Sequence, residues 1–155
     1  MHPLMGSAAS LPHALPARRA LGIAAAFIAC YAFLDWATYV YPIRPFAITL
    51  WNPPAGLALA LLLVFGLRMW PAVAIAVFLA DVLVRVIPSQ SLLEPLAIFV
   101  ITAGHVAMAA LMRGPLSFRT EFDHLRDVSM LILVSAFGTL LMAVAYVSVY
   151  SIGDL

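Results

Sequence analysis

The chain has 155 residues, of which 65% are hydrophobic and 10% charged, and a mean hydropathy of +1.08. A soluble domain carries about 25% charged residues, so there is too little polar surface here to cover a water-soluble globule, and a bilayer is the expected solvent. The net charge of +1 comes without a basic stripe that would suit nucleic acid. The single cysteine, Cys30, excludes an internal disulfide framework and a thiolate metal cluster.

Residues 1–17 contain prolines, small residues and two histidines without periodicity, and are expected to form a flexible cytoplasmic tail. Residues 18–155 are expected to form one membrane domain. Arg18-Arg19 precede a first apolar run, 20–40, long enough to span the bilayer. Tyr41 to Pro45 is a turn, and a second apolar run, 46–66, is interrupted at Trp51-Asn52-Pro53-Pro54. Asn52 is a good N-cap and Pro53 suits the first helical position, so a helix is predicted to start there. From Pro53 to Gly66 it covers only roughly 20 Å of the ~30 Å hydrocarbon core.

Gly66 to Met69 is a tight turn, followed by a third span, 70–87, with small residues at Ala72, Ala76 and Ala80 that favour close helix approach. A fourth span covers 92–112. The longest connection, Arg113 to Arg126, holds Thr120 and Asp123 at capping-box spacing, which predicts a helix starting there and continuing into a fifth span, 128–150. The pattern therefore predicts an all-α, polytopic bundle of about five spans. All eight basic residues are arginine; six (18, 19, 68, 113, 119 and 126) fall on one side. The positive-inside rule then places the N terminus in the cytoplasm.

Trp51-Asn52-Pro53-Pro54-Ala55-Gly56, the Gly66-Leu67-Arg68 turn and the Trp70-Pro71 start of the third span resemble the MASE1 family of bacterial membrane-associated sensor domains. Arg126-Asp127-Val128, opening a helix after a polar loop, fits as well. The resemblance implies an input module fused to histidine kinase or cyclic-di-GMP output domains, with more spans than are present here. Within it, Trp51, Pro53, Pro54, Gly56, Gly66, Arg68, Trp70 and Pro71 are motif residues.

Charges inside a membrane cost about 2.5–3.5 kcal/mol each, so their placement is informative. Asp35, Asn52, Asp81, Arg85 and Glu94 come from separate segments yet fall at one depth, near the outer face, and form a candidate ligand pocket. Trp36, Tyr39 and Trp51 are candidate aromatic walls, and the helix start at Pro53, with Arg44 or Arg85, could favour an anion. Competing structural readings exist. Asp81 and Arg85, at i,i+4, would neutralise one another. Arg44, Arg85 and Glu94 would reach the headgroups, and the aromatics would form an interfacial belt. Asp35 has no local cation and requires a partner from another helix.

His105 has the chemistry for proton sensing or haem ligation. No second intramembrane histidine accompanies it, and its small neighbours Ala103, Gly104 and Ala107 suggest packing. Glu121, Asp123, His124, Arg126 and Asp127 read as a solvated linker. Neither a catalytic site nor a cofactor is expected.

The predicted function is thus a membrane sensory module responding to a ligand or partner at an outward-facing polar site. A small-solute transporter component, suggested by the broken second helix, is the alternative. Expected partners are the bilayer, an output kinase or cyclase domain or a membrane partner protein, and a second copy of the chain.

Overall fold

The computed structural model describes residues 16–38, 52–85, 93–118, 120 and 124–153. Five α-helices follow one another: α1 (Ala17–Thr38), α2 (Pro53–Phe65), α3 (Trp70–Ala80), α4 (Leu93–Arg113) and α5 (Leu125–Gly153). A 3-10 turn, Leu67–Met69, leads into α3, and a π-helical turn, Asp81–Arg85, continues it. Among the described residues, four segments are long and apolar enough to cross a membrane: Ala17–Thr38, Leu67–Val84, Leu93–Arg113 and Leu125–Val149. The second helix is shorter, as its prolines require; residues 39–51, including Arg44, Tyr39 and Trp51, lie outside the described residues.

The start of α2 departs from expectation in an informative way. Asn52 occupies the N-cap position, but its side chain makes no capping hydrogen bond. A cap normally accepts from the second or third helical N–H. Here the second position is Pro54, which has none, and the third, Ala55, already donates to the Asn52 carbonyl at 3.2 Å. The amide of Asn52 is thereby released for other contacts. At its other end α2 stops at Gly66, whose φ of 98° is costly for any residue with a Cβ. The last carbonyls of α2 are held by Arg113, whose Nη1 donates to Leu63 at 2.7 Å and to Leu62 at 3.3 Å. A cation at a helix C terminus also opposes the macrodipole.

Helices α1, α2, α4 and α3 form a ring in which each packs on the two beside it, so the consecutive α2 and α3 sit diagonally. Leu62 and Val73 are fully buried within it. The stripe Ala72, Ala76 and Ala80 is buried together with Val73 and Val77, and α3 packs most heavily on α1. The small side chains let the two backbones approach, as their spacing predicts.

Outside this ring, α5 packs chiefly on α4. The contact is reciprocal: Met142 lies over Gly104 and Met108 over Gly138, so that a Cβ at either glycine would overlap the methionine's Cγ and Sδ. The rest of α5 is largely exposed, with Leu133, Phe137, Leu140, Leu141 and Val144 on its surface. Its hydroxyls remain compatible with lipid because they bond back to the preceding turn: Ser135 to Leu131, Thr139 to Ser135 and Ser148 to Val144.

Two expectations near α5 are corrected. The helix starts at Leu125 rather than at Thr120, which lies in a turn, while 121–123 lie outside the described residues. Asp127, expected in a solvated linker, is buried in the first turn of α5, where a negative charge suits the helix dipole.

Candidate functional site

A cavity of about 580 Å3 opens between the helices at the Asn52 end of the bundle. Asn52 and Ala55 at the start of α2, Asp81 at the start of the π-helical turn, and His105 of α4 line it. Tyr31 of α1 and Tyr146 of α5 contribute aromatic surface. The α5 wall also includes Ala136, Thr139 and Ala143, which share one helical stripe with Tyr146. Every helix supplies part of the wall, and α5 closes the side away from α2.

Of the five residues expected to form a polar pocket, Asn52 and Asp81 do line the cavity. Asn52 is exposed and uncapped, because Pro54 has no N–H and that of Ala55 is already taken, and Asp81 is only 3% exposed. Asp35 (2%) is buried on α1 and Glu94 (7%) in the first turn of α4, but neither is among the residues that line the cavity. Glu94 is therefore shielded by protein rather than extended to a headgroup layer. The backbone of Arg85 ends the π-helical turn, and its side chain lies outside the described residues.

The π geometry also alters the expected i,i+4 relation of Asp81 to Arg85. A π turn holds more residues than an α turn, and such turns recur at functional sites. Trp36 is not a cavity wall; it is 66% exposed on the outside of α1, with its ring 6.1 Å from that of Phe33. The buried aromatic pair of α1 is Phe27 and Tyr31, with ring centroids 5.8 Å apart.

The motif residues serve the turns. Pro53 and Pro54 start α2, Gly66 ends it, Arg68 lies exposed in the 3-10 turn, and Trp70-Pro71 open α3. Gly56 has open space around the position a Cβ would take.

His105 is the residue whose role the sequence concealed. Its neighbour Gly104 does pack against α5, as expected of a packing surface. The imidazole itself is 1% exposed and stands on the cavity wall. Its Nδ1 lies 2.8 Å from the Ile101 carbonyl, one turn back along α4. A carbonyl only accepts, so Nδ1 carries the proton, and in the neutral ring Nε2 is left as an acceptor. Among the described residues Nε2 has no hydrogen-bond partner. A buried, unmet polar atom beside a cavity of this size requires an explanation, and the cavity has room for a donor to it. The only hint in the sequence was the presence of a histidine within an apolar span.

The architecture is that of a polytopic helical membrane domain with a part-polar cavity among its helices. The MASE1 family model matches residues 19–153, and the chain belongs to that family of membrane-associated sensor domains. No curated protein and no solved structure matches it.

Proposed function

We propose that this MASE1 domain is the input module of a bacterial histidine kinase or cyclic-di-GMP signalling system in the cytoplasmic membrane. Its N terminus lies in the cytoplasm, and the Asn52 end of the bundle, with its cavity, faces outward. A ligand or partner engages the polar groups at that end: Asn52 and Asp81 on the cavity wall, with Asp35, Arg85 and Glu94 as supporting charges. The observation that carries this reading is the cavity itself, which every helix of the domain helps to line. An occupant bound there touches all five helices at once and so can bias how they pack. Its influence equals the difference in its affinity for the two packings, and no more.

The test uses the protein expressed from its own gene, with phosphotransfer or cyclic-di-GMP as the readout. Asp81→Ala and Asn52→Ala are expected to remove the response while leaving the amount of protein in the membrane unchanged. Normal signalling by both variants would sink the proposal. Uptake of a solute by the chain in proteoliposomes would replace it with a transport function.

A further inference from the structure

We propose that the cavity binds an uncharged, mostly apolar small molecule bearing a single hydroxyl or N–H donor, a phenol being the simplest member of the class. The donor rests on Nε2 of His105. The proposal deepens the sensor reading above by naming the chemistry of the signal, and it rests on that reading only for its consequence in signalling.

Three observations define the occupant. The first is the fixed polarity of the imidazole. Its Nδ1 is committed to the Ile101 carbonyl at 2.8 Å, so the nitrogen available to a ligand presents a lone pair and selects a donor. That nitrogen is buried and makes no hydrogen bond among the described residues; the Ala55 carbonyl also interacts with the imidazole but, being an acceptor, cannot satisfy a lone pair.

The second is the character of the walls. Around His105 they are formed mainly by Val77, Ala80, Ile101, Leu140 and Ala143, with the aromatic rings of Tyr31 and Tyr146, while Asn52, Asp81 and Thr139 add polar groups. A cavity of about 580 Å3 with such walls holds a molecule of drug size. Asp81, the charged residue of the lining, already has an interaction within the protein, so the cost of desolvating a charge there argues for a neutral occupant. A flat aromatic ring can fill the space against the tyrosines while its hydroxyl reaches the imidazole.

The third is access. Helix α5, which supplies one wall, packs chiefly on α4 and is otherwise largely exposed. An apolar molecule dissolved in the bilayer can therefore reach the cavity from the side by displacing α5, without crossing water. A simple metal ion is a poor match, because no group of three His, Cys, Asp or Glu side chains stands together among the described residues.

The experiment uses the whole chain in phosphatidylcholine nanodiscs, labelled with 15N-histidine. The probes are 4-hexylphenol and 4-hexylanisole, which differ in whether the oxygen carries a proton. The phenol is expected to shift the Nε2 resonance of His105 and to bind about tenfold more tightly than the ether, after correction for partitioning into lipid. His105→Phe is expected to abolish the preference, and His105→Gln, which keeps an acceptor, to retain part of it. Ala143→Phe fills the cavity from α5 without touching the histidine and should block the phenol in a folded chain.

Equal affinity for the two probes overturns the proposal, as does a preference that survives in His105→Phe. Uptake of haem with a histidine-ligated spectrum would overturn it in favour of coordination. The two readings fail separately. Phenol binding without any change in signalling output removes the sensor role of the cavity and leaves the ligand class intact. A signalling response that depends on Asp81 in a chain blind to the phenol removes the ligand class alone.

Discussion

Arg113 shows how one side chain can serve both topology and stability. Counted as a loop arginine, it belongs to the charge bias on which the proposed orientation rests; in the fold it closes α2 by donating to the Leu62 and Leu63 carbonyls. Because its surroundings are partly open to solvent, Arg113→Ala is expected to cost only about 1 kcal/mol of stability. Arg113→Lys should recover part of the loss, since it keeps the charge but not the fork. Thermal unfolding in detergent would measure both. The glycines separate in the same assay. Gly56→Ala meets open space and is expected to be neutral or stabilising by up to about 1 kcal/mol. Gly104→Leu must displace Met142 from between α4 and α5 and is expected to destabilise by about 1–3 kcal/mol. If the order of these two substitutions were reversed, the reciprocal methionine contact would not be what holds α5.

At the scale of elements, much of the fold was legible before the coordinates. Proline at the start of a helix and glycine at its end act through backbone geometry alone, so Pro53 and Gly66 marked α2 correctly. The Ala72, Ala76, Ala80 stripe is a fixed period and needs no tertiary information. The π-helical turn at Asp81–Arg85 was not legible, because one additional residue in a turn leaves no compositional trace. Nor was the freed side chain of Asn52, although it follows from Pro54 lacking an N–H once that position is considered. His105 was visible as a residue, but not as an acceptor: which nitrogen is engaged depends on a carbonyl one turn away. The π turn permits a direct test. Deleting the exposed Leu83 is expected to restore α geometry and so remove the wide turn that begins at Asp81. The deletion should impair signalling while membrane insertion persists, read by fractionation and by the signalling output together. Full signalling by that deletion would show that the wide turn is dispensable.

For the whole molecule, the apolar composition and span pattern announced a helical membrane domain, and the Trp51–Pro71 motif announced its family. The ring of α1, α2, α4 and α3, with α2 and α3 on its diagonal, was beyond a linear pattern, because apolar faces reveal burial but not neighbours. Orientation is open to direct measurement. With Cys30 replaced by serine, a cysteine introduced at Thr120 is expected to react with a membrane-impermeant maleimide only when the cytoplasmic face is accessible. Labelling in intact spheroplasts would reverse the proposed topology.

The length of α5 has a physical consequence of its own. Its apolar span, Leu125–Val149, has 25 residues and measures about 37 Å, against ~30 Å of hydrocarbon. Such an excess is relieved by leaning or by carrying the helix ends into the headgroup layer. Lean is resisted mainly by α4, through two methionines seated over two glycines. Hydrophobic mismatch is therefore expected to act on the wall of the cavity that has a single main neighbour, and a change of bilayer thickness to alter its width. Membranes of different acyl length would hold the same chain with differently sized binding sites.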